Sequence, residues 1–241
     1  MTAYRSSVLL LAIALGACSR ETPPAAPAVE AGLPASASAT SPEAATAPAT
    51  EAPARIEDLV HFDDSLASLQ ARLGARHAIA ETLPGAEGET MSGWTLFPAD
   101  PTRRLSVYLD DTGEHPLMLL AGQEAVAWTR ADGVRIGMSS QELAQLNGGA
   151  YGFMGFDWDY GGVVTDWRGG RLAPDGASAG PVTLCPRDAG VGQEPTEYPV
   201  GDSEFRSDDA RLLVNPAWVC EFGVNIDPPA DAPAASGLPD R

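Results

Sequence analysis

Residues 19–54 are almost entirely Ala, Pro, Ser, Thr and Glu, with hardly a large apolar side chain among them. Ordering a backbone costs roughly 1–2 kcal/mol per residue, and a segment with nothing to bury cannot offset that cost. The stretch is therefore expected to be a disordered tether with a typical reach of ~35 Å. A similar composition returns at Pro228-Pro229-Ala230-Asp231-Ala232-Pro233, so 228–241 is expected to be a disordered tail. A fold has to be built from 55–227, the length of one ordinary domain or two small units.

Ahead of the tether, Met1 to Arg5 carries one positive charge and leads into the apolar run Val8-Leu9-Leu10-Leu11-Ala12-Ile13-Ala14-Leu15. This is the pattern of a signal peptide, and the run is far shorter than the ~20 residues that span a bilayer. The junction Leu15-Gly16-Ala17-Cys18 resembles the lipobox of bacterial lipoproteins. The resemblance implies that 1–17 is removed, that Cys18 carries diacylglyceryl and N-acyl chains, and that the membrane is a partner through this anchor. Each buried CH₂ contributes roughly 0.8 kcal/mol, so several chains hold firmly where one binds reversibly. Ser19, in place of an Asp after the cysteine, implies the periplasmic face of the outer membrane.

With Cys18 given to the lipid, Cys185 and Cys220 remain as a single pair. Export to an oxidising compartment favours a disulfide between them. Closing a loop of about 35 residues stabilises a fold by ~3–4 kcal/mol in the chain-entropy view.

The formal charge is −18, and every basic residue is arginine, because the sequence has no lysine. Schiff-base chemistry, a P-loop and a lysine-assisted serine nucleophile are thereby excluded. An acidic chain without a basic run lacks the electrostatic footprint of a nucleic-acid binder. A basic protein partner suits it better, although acidity also serves solubility alone.

Within the folded part, Ser65-Leu66-Ala67-Ser68-Leu69-Gln70-Ala71-Arg72-Leu73-Gly74 predicts a short amphipathic helix with Asp64 or Ser65 as N-cap and Gly74 as stop. Ser139 to Gly148 predicts a second, with Ser139 and Glu142 as a capping box. Strand-like material follows each helix. The first set is Gly93–Phe97, Leu105–Leu109, the turn Asp110–Gly113, Leu117–Leu120 and Ala125–Thr129. The second is Val163–Trp167, a Gly169-Gly170 turn, Val182–Leu184 and Leu212–Val214. A helix followed by antiparallel strands, twice over, predicts an α+β domain with units at about 55–130 and 131–227.

The run Ile136-Gly137-Met138-Ser139-Ser140-Gln141-Glu142-Leu143, continuing to Leu146-Asn147-Gly148, resembles the opening of helix-and-strand repeats in small outer-membrane assembly lipoproteins and β-lactamase inhibitor proteins. The resemblance covers about a dozen residues and implies protein binding without catalysis; it carries over no binding residue.

The densest peculiarity is Gly148 to Gly162, where aromatics alternate with glycines and Asp157 and Asp159 flank Trp158. Glycine permits close backbone approach and aromatic faces offer flat apolar contact, so Tyr151, Phe156, Asp157, Trp158, Asp159, Tyr160 and the nearby Trp167 are the candidate binding residues. The competing reading is a strand whose aromatics fill the core, with Phe156, Trp158 and Tyr160 on one face and both aspartates on the other. No metal site is expected: an EF-hand begun at Asp157 would need Glu where Arg168 stands, which leaves only a looser oxygen site from Asp157, Asp159 and backbone carbonyls. Arg168 is expected to pair with Asp159 or Asp166. No cofactor or nucleotide is expected either, since Gly149, Gly152 and Gly155 do not make Gly-x-Gly-x-x-Gly. Gly201-Asp202-Ser203 lacks a nucleophile elbow, and His61, His77 and His115 form no ligand pair. Asp63-Asp64, Asp110-Asp111 and Asp208-Asp209 sit where acids cap helices or make turns.

These features point to a lipid-anchored, non-enzymatic binding module of the cell envelope. An acidic inhibitor of a basic, lysozyme-like envelope-attacking enzyme is the alternative, and a hydrolase using Asp157 and Asp159 is a third. Intact-mass analysis of the chain expressed in a lipoprotein-processing bacterium should show cleavage before Cys18, three acyl chains and two hydrogens gained on reduction, all lipid being lost in Cys18→Ser. An unlipidated wild-type mass would reject the anchor.

Overall fold

The computed structural model describes residues 53–85, 88–173, 179–187 and 197–229. Cys18, nearly all of the tether and the tail from 230 onward lie outside the described residues. Among the described residues no helix is long and apolar enough to cross a membrane.

The elements run β1 (Ala54–Arg55), α1 (Leu66–Leu73), a 3₁₀ turn (Ala75–His77), β2 (Ala78–Pro84), β3 (Thr90–Leu96), β4 (Leu105–Leu109), β5 (Pro116–Ala121), β6 (Trp128–Thr129), α2 (Ser140–Asn147), β7 (Gly152–Met154), β8 (Val164–Asp166), β9 (Ala179–Cys185), β10 (Glu204–Arg206), α3 (Ala210–Val214) and β11 (Trp218–Asn225). The fold class is α+β. A six-stranded antiparallel sheet has the order β2-β3-β4-β5-β11-β9, so strands from both expected units share it. A three-stranded antiparallel sheet, β10-β7-β8, and a parallel pair, β1-β6, complete the architecture.

Register builds the core. Trp94, Val107, Leu119 and Val224 line up across four strands, and Leu96, Leu105, Ala121, Phe222 and Val182 line up across five. Every one of these side chains is buried. A one-residue slip of any strand would turn its apolar set outward, so the burial pattern fixes the pairing. Cys185 and Cys220 are disulfide-bonded, with Cα atoms 5.7 Å apart, and clip β9 to β11.

Both helices begin where the capping residues predict. Ser65 caps α1, its Oγ accepting the Ser68 N–H at 3.2 Å while the Ser68 hydroxyl accepts the Ser65 N–H at 3.0 Å. In α2 the Ser139 Oγ accepts from the Glu142 N–H at 3.1 Å and the Glu142 carboxylate accepts from the Ser139 N–H at 2.7 Å. Gly74 and Gly148 end the two helices at positive φ, where a side chain would be strained.

Elsewhere the structure departs from expectation. Leu212–Val214 is not a strand but lies in α3: Asp209 caps the helix by accepting the Arg211 N–H, which turns Leu212 into the core and leaves Leu213 and Val214 exposed. The strand expected over Ala125–Thr129 shortens to β6, because 122–127 is a turn closed by Ala125 N–H to Gly122 O. The sequence pattern does not predict the strands β2 and β11.

Asp64 anchors α1. Arg72 donates to both of its oxygens, at 3.0 and 2.8 Å, Ser68 at 2.7 Å, and the His61 N–H at 3.0 Å. Burial raises the carboxyl, but these donors outweigh it and hold the group at about 2. Folding thus favours the ionised form; that stabilisation is full above the ordinary carboxylate value and is lost as pH falls toward about 2. Asp64→Asn should cost about 1–2 kcal/mol at neutral pH, after allowing for the solvent-exposed side of Arg72. Denaturant unfolding should show this deficit shrinking between pH 5 and pH 2; a deficit independent of pH would reject the assignment.

Candidate functional site

The glycine- and aromatic-rich segment leaves α2 under a polar clamp. Asn147, almost wholly buried, donates to the carbonyls of Gly149 and Trp167 at 3.1 and 3.0 Å and accepts the Leu172 N–H at 3.2 Å. A Cβ on Gly170 would stand 2.1 Å from the Asn147 carboxamide oxygen, so glycine is required in that turn. Tyr151 follows, fully buried, its hydroxyl donating to Ser140 O at 3.2 Å and its N–H to the Ser207 hydroxyl at 3.0 Å. Burial pushes its phenol well above the ordinary value. Its ring packs on half-buried Trp167, centroids 5.5 Å apart.

Phe153 and Phe156 pack together at 5.5 Å, with Tyr198 edge-on to Phe156 and Phe205 against Phe153. Beyond Phe156 the extended backbone stops. Asp157 and Tyr160 adopt φ of +59° and +61°, and Gly161 N–H to Trp158 O and Val163 N–H to Tyr160 O close a tight turn at 2.8 and 3.1 Å. The strand alternation expected for Phe156, Trp158 and Tyr160 therefore fails. Phe156 is buried, whereas Trp158 and Tyr160 are 58% and 65% exposed.

The seven candidate residues thus divide. Tyr151 and Phe156 belong to the core and Trp167 packs against it, so Tyr151 and Phe156 present no surface to a partner. Asp157, Trp158, Asp159 and Tyr160 stand together on the exposed turn. Val200 joins them, 53% exposed and bridged to Phe156 at the root of the turn. Nothing local in the sequence marks Val200, because only the fold brings it beside a segment so distant in the chain.

The root of the turn is rigidly held. Phe156 N–H donates to Pro199 O, Gly155 N–H to Ser203 O, Gly162 N–H to Met154 O and Leu184 N–H to Gly162 O, all at 2.8–2.9 Å. Gly155 lies so close to Gly201 that a Cβ would meet its carbonyl oxygen at 2.4 Å. Arg168 does not pair with Asp159 or Asp166. Its guanidinium reaches Glu204 at 2.6 Å, and Asp166 instead accepts the Arg168 N–H at 2.7 Å. Thr165 also donates to Glu204, which lies over Gly152. Neither Asp157 nor Asp159 has a hydrogen-bond or ion-pair partner among the described residues.

Other concave surface carries less chemistry. An open groove of about 720 Å³ lies between α2 and α3, bordered by Ala144, Gly148, Gly149, Ala150, Asp208 and Leu213. Its one carboxylate is already bound by Arg206 at 2.7 Å. The histidines are dispersed: His115 stacks on Phe62 and His77 tilts against Phe97. No group of three or more His, Cys, Asp or Glu among the described residues is arranged to hold a metal ion.

No family model, curated protein or solved structure matches the chain.

Two substitutions separate the scaffold from its display. Gly162 has φ +80°, and a Cβ there would lie 1.9 Å from Leu184 O, so Gly162→Ala should lose about 2–4 kcal/mol of stability. Tyr160→Gly relieves a left-handed backbone at the expense of unfolded-chain entropy and should change stability by no more than about 1 kcal/mol. Denaturant melts measure both; a large loss from Tyr160→Gly would mean that the tyrosine serves the fold.

Proposed function

We propose that this protein is a lipid-anchored lipoprotein of the cell envelope, a non-enzymatic module that binds a protein partner through the Asp157–Tyr160 turn. One observation carries the reading. A Trp and a Tyr are presented to solvent by a turn whose root is fixed by backbone hydrogen bonds on both sides. Large aromatics dominate interface energetics when they become buried against a partner, and a rigid display lowers the ordering cost of binding. Val200 extends the apolar contact beyond the turn. An anchor at Cys18 would keep the binding module at a membrane.

The acidic balance favours a second reading, in which the partner is a basic enzyme that attacks the envelope and binding inhibits it. Hydrolysis by Asp157 and Asp159 fits less well. Paired-carboxylate chemistry works across a cleft, and these two side chains stand on an exposed turn.

A photo-cross-linking residue at Val200, introduced in the living cell, should yield a discrete adduct. Trp158→Ala with Tyr160→Ala should abolish it while leaving the thermal midpoint unchanged, each truncation weakening binding by ~2 kcal/mol or more. An adduct indifferent to both substitutions would reject the reading. For the second reading, the purified domain in excess should slow a basic lysozyme; unaltered lysis removes it.

A further inference from the structure

The geometry points to a cationic side chain, arginine in preference to lysine, on an exposed segment of the partner protein as the group that the Asp157–Tyr160 turn receives. This rests on the turn being the recognition element and specifies its chemistry.

The argument starts from what the surface would do to each class of partner. Trp158 and Tyr160 alternate in sequence with Asp157 and Asp159, and all four are exposed. A purely apolar partner covering the rings would strip water from two carboxylates and give them nothing in return, a cost that opposes binding. An anionic partner would be repelled. A cation gains from every group present: ring faces attract it through their quadrupoles, and ionised carboxylates form short charge-assisted hydrogen bonds with its N–H donors.

The surroundings leave that role open. The turn contains no basic residue, and neither does the adjoining run from Tyr198 to Ser203, which contributes another exposed carboxylate at Asp202. Three arginines on adjoining elements are already engaged, Arg168 by Glu204 at 2.6 Å, Arg206 by Asp208 at 2.7 Å and Arg211 by Asp209 at 2.8 Å, and exposed Arg187, whose N–H donates to the Tyr198 hydroxyl at 2.9 Å, forms no ion pair with Asp157 or Asp159. Among the described residues Asp157 and Asp159 thus remain without an ion-pair partner, while Glu204, Asp208 and Asp209 have one.

Arginine suits the site better than lysine because its planar guanidinium can lie on an aromatic ring while its edge forks to a carboxylate; an ammonium is a compact point charge with strong hydration. The chain's net charge of −18 would raise the encounter rate with a basic partner and make it salt-dependent.

The test uses the exported chain carrying Cys18→Ser, titrated calorimetrically at physiological salt with blocked hexa-arginine, hexa-lysine and, as a neutral stacking ligand, chitotetraose. Hexa-arginine should bind several-fold more tightly than hexa-lysine. Trp158→Ala should weaken it about tenfold or more, as should Asp157→Asn with Asp159→Asn. Glu89→Gln with Glu124→Gln, which removes equal charge from exposed positions elsewhere, should leave it unchanged. Absent binding overturns the assignment, as does equal weakening by the remote pair, which would mean unspecific attraction to an acidic surface. Trp158-dependent capture of chitotetraose without arginine binding overturns it in favour of a glycan. If the cellular adduct depends on Trp158 and Tyr160 yet hexa-arginine fails to compete, the recognition surface stands and its cation specificity falls; if the adduct ignores the turn, both fall.

Discussion

The pairing of β11 with both β5 and β9 is the constraint on which the rest of the molecule rests. The last strand enters the sheet between strands contributed by the two halves of the folded segment, so its register decides whether the halves share a core. Phe222 and Val224 complete the two buried rows that cross the sheet. Glycines let the backbones close in at this seam. A Cβ on Gly180 would meet the Gly223 carbonyl carbon at 2.5 Å, and one on Gly223 would meet Leu119 O at 2.8 Å. The disulfide clips β9 to β11 across a loop of 35 residues and so restricts the unfolded chain. Arg130 adds a polar tie, its guanidinium satisfied by Asp132 and by Gly180 O, so that a buried charge costs little.

From this seam the exposed turn inherits its rigidity. Leu184 on β9 donates its N–H to Gly162 O, Gly162 donates to Met154 O, and the Phe156 backbone pairs with Pro199 and Gly201. Beneath these bonds Phe153, Phe156, Tyr198 and Phe205 form the aromatic floor. The same few residues therefore mix two tasks: rings that hold the root face inward, and rings two and four positions beyond Phe156 face solvent. Left-handed backbone at Asp157 and Tyr160 makes the switch, because it ends the two-residue alternation that would have put all three rings on one side.

That switch also explains what the sequence could and could not reveal. Helix starts were legible because Ser65 and Ser139 declare them through side-chain chemistry confined to four residues. The cysteine pair was legible once the lipobox resemblance set Cys18 aside. The three-residue run Leu212-Leu213-Val214 was not, since its periodicity is ambiguous and the Asp209 cap decides it. β11 is not legible because a central strand buried on both edges, with Gly223 and the glutamate Glu221 within it, reads neither as alternating nor as uniformly apolar. For the candidate site, composition singled out the glycine- and aromatic-rich segment but could not divide Tyr151 and Phe156 from Trp158 and Tyr160, because burial is a property of the partners that the fold supplies. Val200 and the Arg168–Glu204 pair depend on contacts between distant parts of the chain and left no local mark.

The electrostatic design follows from the absence of lysine. Arginine is the only cation available, and its forked geometry is spent on internal ties: Arg72 with Asp64, Arg130 with Asp132, Arg168 with Glu204, Arg206 with Asp208, Arg211 with Asp209. Most of these partners also take a further hydrogen bond, from Ser68 or His61 on Asp64, Thr165 on Glu204 and the Arg211 N–H on Asp209. The exposed pairs among them, Arg168–Glu204, Arg206–Asp208 and Arg211–Asp209, orient segments more than they add stability, since an exposed ion pair contributes at most about 1 kcal/mol. What remains is an excess of carboxylates, Asp157 and Asp159 among them, which no arginine meets among the described residues. Across most of the surface that excess only hydrates and repels. On the Asp157–Tyr160 turn it alternates in sequence with exposed aromatic residues above a root held by backbone hydrogen bonds, and there the proposed incoming positive charge would meet carboxylate and ring together.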